Sequence, residues 1–210
     1  MRDITGRVLQ RAALAGLAIP ESVLSRLTRY YDLLRRWNAK INLTSLSEPD
    51  EAIDRLLLEP LAASQHIPSG VRLIDLGSGG GSPAIPLALG CAASRLVMVE
   101  SRGRKAAFLQ EAVRHLELSD ASVESRRFED LSGNSQFRGA FDVVSIRAVR
   151  IERRTLETAA GFLAAGGLVA LFRGLSGPIP QGDIPPELTV DGTVSLPTQS
   201  MARLTLLRRN

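Results

Sequence analysis

Four glycines stand within five positions near the middle of the chain, directly after a short apolar run that carries a carboxylate. Glycine permits positive φ and lets a bound molecule approach the backbone closely. A strand, a glycine loop and a helix in this order hold a nucleotide-like ligand at the carboxyl edge of an α/β sheet. A tight turn without a ligand is the alternative. The predicted site comprises the strand 71–76, Asp75, and the glycines Gly77, Gly79, Gly80 and Gly81.

The residues around the glycines narrow the class of ligand. A dinucleotide-binding G-x-G-x-x-G motif would need glycine at position 82, where the chain has Ser82, and no G-x-x-x-x-G-K-[ST] phosphate loop is present. No lysine lies near the loop in the sequence to meet a phosphate. Asp75 would repel a pyrophosphate but suits a cofactor with an ammonium group and a sulfonium centre. Ser82 and Pro83 predict the helix start, as N-cap and first helical residue.

A second carboxylate follows at a distance that fits the same site. Glu100 ends the apolar run 96–99 and lies 23 positions after Gly77. An acidic residue about 20 positions after such a loop is placed to accept both ribose hydroxyls. The spacing Asp75-x-Gly77-x-Gly79 resembles the first motif of S-adenosylmethionine (SAM)-dependent methyltransferases with a Rossmann-like fold, and Glu100 supports that interpretation. Helix capping is the alternative role for Glu100.

Size and composition limit the remaining possibilities. The chain has 210 residues, of which 44% are hydrophobic and 23% charged, enough for one full domain with a small appendage. One cysteine excludes an internal disulfide framework, and two histidines far apart make a metal site improbable. No apolar run approaches the roughly 20 residues of a membrane span, and no signal peptide opens the chain, so we expect a cytoplasmic protein without membrane contact.

The net charge is +4 and the isoelectric point about 10.0, carried by 24 arginines and two lysines. An arginine excess fits contact with phosphate and nucleic acid. It fits a GC-rich genome equally well, because GC-rich codons favour arginine. Composition leaves both explanations open.

Apolar residues at three- and four-residue steps predict helices in the first third of the chain. The pattern is weak over 5–19, stronger from 20 to 37, and is followed by a connector over 37–44. Ser47 is the predicted N-cap of a further helix, which Pro60 should break or restart. We expect residues 1–68 to form an N-terminal helical appendage and 69–210 the SAM-binding methyltransferase domain.

Strands and helices alternate after residue 70, which is typical of a parallel sheet with helices on both faces. Strands are predicted at 71–76, 95–100, 121–125, 141–146 and 167–172, and helices at 83–90, 102–117 and 152–164, the last ended by Gly166-Gly167. The segment 177–186 holds four prolines, and 187–196 and 201–208 predict a terminal antiparallel hairpin. The predicted fold is α/β: a Rossmann-like class I SAM-dependent methyltransferase with a mostly parallel seven-stranded sheet.

These residues together resemble the RsmG (GidB) family, bacterial methyltransferases of small-subunit ribosomal RNA, over roughly 30–175. The similarity rests on six motifs: Trp37-Asn38 with Asn42-Leu43-Thr44, Asp75-Leu76-Gly77-Ser78-Gly79, Glu100-Ser101-x-Gly103-Arg104-Lys105, Glu129-Asp130-Leu131, Phe141-Asp142-Val143-Val144, and Arg147-Ala148. The chain departs from the family at Ser82 and Ala84, at Arg173 where a lysine is usual, and at Leu58-Glu59-Pro60-Leu61, where Asp-Ser-Leu is usual after a preceding histidine. The helix that normally precedes the hairpin is replaced by 177–186.

The resemblance implies methyl transfer from SAM to N7 of a guanine in 16S ribosomal RNA, and we expect a monomeric enzyme. Guanine N7 carries a free lone pair, so no general base is needed. Arg147, at the reactive end of the cofactor, is the expected catalytic residue and could hold guanine O6 or a phosphate. Implied cofactor contacts are Asp75, Gly77, Gly79, Ser82, Glu100, Ser101, Phe128, Glu129 and Arg147. Implied RNA contacts are Arg36, Lys40, Arg104 and Arg173.

Three other functions stay open on the sequence. A diverged relative could methylate another RNA or a small molecule, which the altered tail and Glu59-Pro60 favour. A SAM-binding protein without activity is possible. An NAD(P) oxidoreductase is the third, and Ser82 argues against it.

Overall fold

Seven strands form one sheet in the order β3-β2-β1-β4-β5-β7-β6 within the part of the chain that the computed structural model describes, residues 2–174, 177, 179–198 and 201–210. The first five strands are parallel, and β7 runs antiparallel to both β5 and β6. The predicted fold class is confirmed. The strands are β1 (Arg72–Leu76), β2 (Arg95–Val99), β3 (Ala121–Glu124), β4 (Phe141–Arg147), β5 (Leu163–Arg173), β6 (Leu188–Ser195) and β7 (Arg203–Arg209).

The central strands are buried on both faces, as the apolar runs predict for a parallel sheet. Leu73 of β1 packs into one hydrophobic cluster, and its neighbour Ile74 packs into a second cluster on the opposite face. The same alternation continues through β2 and β4, because successive strand residues point to opposite faces. Helices α5 (Ala84–Gly90), α6 (Gly103–His115) and α7 (Arg153–Phe162) connect the strands.

The N-terminal segments pack on one face of this sheet. Val8, Leu27 and Leu57 share a hydrophobic cluster with Leu73 of β1 and Phe108 of α6. The boundary at residue 68 between an appendage and a methyltransferase domain stays a prediction. The segments are α1 (Arg2–Leu14), α2 (Glu21–Asn38), α3 (Pro49–Ile53), a π-turn (Asp54–Leu58), α4 (Glu59–Ala63) and a 3₁₀ turn (Ser64–His66).

Both predicted N-caps are wrong. The N-cap of α5 is Pro83, after a cis Ser82–Pro83 bond, and the Ser82 hydroxyl instead donates to the carbonyl of Leu56 at 2.8 Å. The helix begins one residue later than predicted, so Ser82 lies outside the N-cap position. Glu48 takes the N-cap position of α3 instead of Ser47, and no side-chain bond caps that helix.

Two boundaries also differ from prediction. Helix α2 runs through Asn38 into the predicted connector, and β5 begins at Leu163, inside the predicted helix 152–164. Leu163 pairs with Phe141, after which the register shifts until Leu168 pairs with Val143. The intervening glycines therefore belong to an irregularity of the strand and do not end a helix.

The C-terminal hairpin is confirmed by the antiparallel pairing of β6 and β7. Of the proline-rich segment 177–186, Pro178 lies outside the described residues, and the remainder contains the 3₁₀ turn Gln181–Asp183. Along the described ranges, none of the helices combines the length and apolar character needed to cross a bilayer.

Candidate cofactor-binding and active site

The glycine loop turns sharply at the carboxyl end of β1. The N–H groups of Gly77 and Ser78 both donate to the carbonyl of Val99, which ends the neighbouring strand. Gly77 has a φ of +74°, and a Cβ built on it would lie 2.8 Å from Cγ2 of Val149. A larger residue here would be strained and would collide with the segment after β4. The loop therefore needs glycine at this position for its own path.

Asp75 is buried beside this loop with an incomplete set of partners. Its exposed fraction is 1%, and Oδ1 accepts a hydrogen bond from Ser145 Oγ at 2.5 Å. Oδ2 has no hydrogen-bond partner in the described part of the chain. Burial raises the pKa of Asp75 from 3.8 to about 6. Because buried polar atoms are almost always paired, Oδ2 indicates a ligand that brings a donor, such as an ammonium group.

Glu100 joins the glycine loop to the start of α6. Its Oε2 accepts from the N–H of Gly79 at 2.9 Å, and its Oε1 accepts from the N–H of Arg102 at 2.7 Å. Glu100 does not cap α6 itself: the N-cap is Arg102, and no side-chain bond caps that helix. Each carboxylate oxygen has a second acceptor site, so a ribose contact is compatible with these bonds. That contact stays a prediction, as does the one by the neighbouring Ser101, which is exposed.

Lys105 lies against the glycine loop, contrary to the expectation that no lysine approaches it. Its Nζ is 3.9 Å from the position that a Cβ on Gly79 would occupy. The first turns of α6 bring it back to the loop across 26 positions of sequence. The sequence alone does not predict this position of Lys105. The only signal was its membership of the Gly103-Arg104-Lys105 motif.

The N-terminal helices support the loop from its other side. The Tyr30 hydroxyl donates to the carbonyl of Gly80 at 2.6 Å. Asn38 at the end of α2 accepts from the N–H groups of Leu43 and Thr44 at 2.7 and 2.9 Å, and Leu43 in turn lies against Gly80. The Trp37-to-Thr44 motif thus shapes a turn that holds the glycine loop in place.

Arg147 ends β4, and internal partners surround its guanidinium. Nη2 donates to Glu59 Oε2 at 2.8 Å, and Nη1 donates to the carbonyl of Arg55 and approaches Ser82 Oγ at 3.3 Å. The guanidinium carbon lies 4.8 Å from the ring centre of Phe172 on β5. Burial lowers the pKa of Arg147, against the raising effect of Glu59. Arg147 therefore lies at the predicted edge of the sheet, engaged with the protein itself.

Pro60 explains why backbone carbonyls are available to these side chains. In the π-turn the N–H of Glu59 bonds to the carbonyl of Asp54, five residues earlier. Residue 60 would be the next donor, toward Arg55 or Leu56, but proline has no N–H. Arg147 and Ser82 bond to those two carbonyls. The Glu59-Pro60 departure therefore supplies the carboxylate that holds Arg147, and the missing N–H of Pro60 leaves one carbonyl of this turn open to a side-chain donor.

The other predicted site residues lie around this edge or on the helices beside it. Phe128 and Glu129 begin the 3₁₀ turn Phe128–Leu131 and are half-buried. Arg104 is exposed in the first turn of α6. Arg36 and Lys40 line a cavity of about 390 Å³ between α2 and α6, and Arg173 lines one of about 250 Å³ at the end of β5. Over the described residues there is no group of three or more His, Cys, Asp or Glu side chains that could hold a metal ion.

The family model for rRNA small subunit methyltransferase G (GidB) matches residues 23–202. The chain belongs to this family. It is 36% identical over 162 residues to "Ribosomal RNA small subunit methyltransferase G" of Stenotrophomonas maltophilia strain K279a, covering 77% of this chain and 74% of the relative. The protein of the same name from Xanthomonas axonopodis pv. citri strain 306 is 44% identical over 141 residues, covering 67% and 61%.

A similarity to solved structures supports the fold of this methyltransferase G family member independently. The crystal structure of MtNAS in complex with MTA and tNA superposes with a TM-score of 0.61 at 18% identity, covering 88% of this chain and 70% of that one. Family membership makes the chain a SAM-dependent methyltransferase. The unpartnered Asp75 Oδ2 fits the ammonium group of that cofactor.

Proposed function

We propose that this chain transfers a methyl group from SAM to N7 of a guanine in the 16S RNA of the small ribosomal subunit. Family membership supports the substrate, since the relatives are named for ribosomal RNA of the small subunit. The unpartnered buried Oδ2 of Asp75 is the structural observation that supports SAM as the cofactor. The same proposal puts the enzyme in the cytoplasm, where ribosomal subunits are, and treats it as a monomer.

The proposed cofactor contacts divide between two carboxylates. Asp75 accepts from the ammonium group through Oδ2, and Glu100 accepts from the ribose hydroxyls while it keeps the N–H of Gly79. Gly77 and Gly79 let the backbone approach the ligand, and Phe128 and Glu129 are assigned to the face and edge of the adenine. When bound, SAM supplies an electrophilic methyl group on a sulfonium centre.

The proposed reaction requires no general base from the protein. Guanine N7 presents a lone pair in the major groove and loses no proton before attack. Positioning of the two reactants is then the main contribution of the protein. The target base must leave its stack, which makes the local shape of the RNA part of recognition.

Arg147 acts in this proposal mainly as a positioning residue. Its bonds to Glu59 and to the Arg55 carbonyl fasten the π-turn to the end of β4, one strand from Asp75. A direct contact with guanine O6 or a phosphate would use the guanidinium N–H groups that these bonds leave over, and it stays a prediction. The exposed Arg36, Lys40 and Arg104, with the half-buried Arg173, supply the proposed RNA contacts.

The deciding experiment offers labelled SAM to small-subunit particles purified from a strain in which this gene is deleted. The RNA is then digested to nucleosides and separated. We expect label in 7-methylguanosine with the wild-type protein and none with Gly77→Val, whose side chain would collide with Val149 and strain the glycine loop. Particles from the parent strain, already modified, serve as the matched substrate control. SAM binding without label in ribosomal RNA would refute the substrate assignment.

A diverged methyltransferase of another RNA is the second candidate. The Glu59-Pro60 substitution favours it, because it remodels the backbone next to the reactive edge. Repeating the assay with total RNA from the deletion strain separates the two. Label outside the small-subunit RNA would favour this candidate.

A further inference from the structure

Two arginines face each other across neighbouring strands at the carboxyl edge of the sheet. Arg173 is the last residue of β5 and Arg203 the first of β7, and they are directly paired in the antiparallel register. Directly opposed residues have Cβ atoms about 4.5–5.5 Å apart and project from the same face. The two basic side chains therefore share one small area.

This pairing is unfavourable unless something compensates for it. Like charges directly opposite each other destabilise a sheet. Elsewhere on the same hairpin, Arg208 is neutralised by Asp191 at 2.7 Å. No carboxylate lies within ion-pair distance of Arg173 or Arg203 among the residues that the structure describes. Two unneutralised arginines side by side indicate a place for an anion.

A cavity over one face of these paired strands is lined by side chains that could bind such a ligand. Both arginines line a cavity of about 250 Å³, together with Thr193 and Thr205. The two threonine hydroxyls lie 3.1 Å apart, on the face that carries Arg203. A phosphate there would meet charged donors on one side and hydroxyl groups on the other, which is the pattern of a phosphate contact in nucleic-acid-binding proteins.

The cavity beside Arg173 and Arg203 lies at the same edge of the sheet as Arg147 but on the opposite face. Phe172, the neighbour of Arg173, contacts the guanidinium of Arg147, so alternation puts Arg173 on the opposite face. β5 is two strands from β1, about 10 Å at the usual spacing, a distance that a few nucleotides span.

We propose that Arg173 and Arg203 form a phosphate-binding cleft that holds the RNA backbone a few nucleotides from the target guanine. The assignment of RNA as the source of that phosphate rests on the proposed function. The presence of the anion site rests only on the pairing and the cavity. Arg203 becomes a substrate-binding residue that no sequence motif indicates.

The test compares Arg203→Ala with Arg208→Ala, which removes the same charge from the far end of the same strand. Inorganic phosphate, against chloride at equal ionic strength, should raise the melting temperature of wild type and Arg208→Ala but not of Arg203→Ala. Without phosphate, Arg203→Ala should melt no lower than wild type, because it loses a repulsion. Binding of S-adenosylhomocysteine should be equal in all three, which checks the fold.

The second measurement titrates small-subunit RNA at several salt concentrations. For Arg203→Ala we expect binding to be about 5- to 10-fold weaker and the salt slope to fall by about 0.7, with a raised KM and nearly unchanged kcat. If Arg203→Ala and Arg208→Ala show the same phosphate effect on melting temperature and the same RNA affinity, the proposed phosphate-binding cleft is wrong. A phosphate effect that needs Arg203, with RNA binding unchanged, would overturn its assignment to RNA. If wild type methylates no ribosomal RNA but keeps the Arg203-dependent phosphate effect, the proposed function fails and the anion site stands.

Discussion

Two neighbouring strands carry ionisable residues near their carboxyl ends, the buried Asp75 and the half-buried Arg147, whose surroundings are opposites. Asp75 near the end of β1 has one satisfied carboxylate oxygen and one without a partner among the described residues. Arg147 at the end of β4 has bonds to Glu59 and to the Arg55 carbonyl, and an aromatic ring beneath its guanidinium. The strands are directly paired, so the two environments lie side by side.

This difference in hydrogen bonding indicates that Asp75, and not Arg147, lacks a partner that a ligand would supply. An unsatisfied buried polar atom costs about 1–3 kcal/mol, and a bound ammonium group would offset that cost at Asp75. Arg147 has no such deficit, since the fold already supplies its counter-charge. We infer that Asp75 binds the cofactor and that the main role of Arg147 is to join the π-turn to the end of β4.

Removing Glu59 should have the largest effect, because it leaves the buried guanidinium of Arg147 without a counter-charge. Breaking a buried ion pair costs about 3–5 kcal/mol, so Glu59→Ala should lose that much unfolding free energy. Urea denaturation measures it. The double variant Glu59→Leu/Arg147→Met replaces the pair by apolar groups and should recover most of the loss. If Glu59→Ala unfolds at the wild-type urea concentration, the pair is not what holds Arg147.

Glu100→Ala should weaken SAM binding by about 1.5–3 kcal/mol, the range for a hydrogen bond to a charged group. Calorimetry with SAM measures it. Because Glu100 also accepts from Gly79 and Arg102, Glu100→Gln is the matched control: it retains an acceptor for one of these N–H groups without the charge. Normal SAM affinity in a folded Glu100→Ala protein would show that the residue only joins the loop to the helix.

Cofactor affinity should depend on pH through Asp75. Burial raises its pKa to about 6, so below that pH the carboxyl is protonated and an ammonium group must displace the proton. The dissociation constant of SAM should therefore rise about tenfold per unit as the pH falls below about 6, and level off above it. Titration calorimetry from pH 5 to 8 measures the profile. Asp75→Asn should bind more weakly with this dependence removed; an unchanged profile in that variant would assign the proton elsewhere.

The sequence predicts best what local chemistry determines. Gly77 and Glu100 were found because a strand–loop–helix motif has a fixed spacing, and the alternation of strands and helices predicted the sheet. Ser82, Lys105 and the Glu59–Arg147 pair could not be assigned in this way. Their partners lie 26, 26 and 88 positions away in the sequence, so only the packing of the N-terminal helices and α6 on the sheet decides them.

Two arginines on the helices show the same contrast between an unpaired and a paired side chain, and we expect their replacement to have the smallest effect. Arg36 is exposed beside Lys40 and Trp37 and has no ion-pair partner within the described residues, whereas Arg114 of α6 is paired with Glu111. Arg36→Ala should lower the slope of log affinity for small-subunit RNA against log salt by about 0.7–0.9, one phosphate contact, and leave SAM affinity unchanged. Arg114→Ala removes an equal charge from the neighbouring helix and should leave the slope near that of wild type, because Glu111 already neutralises Arg114. Equal slopes for wild type and Arg36→Ala would remove α2 from the RNA-binding surface.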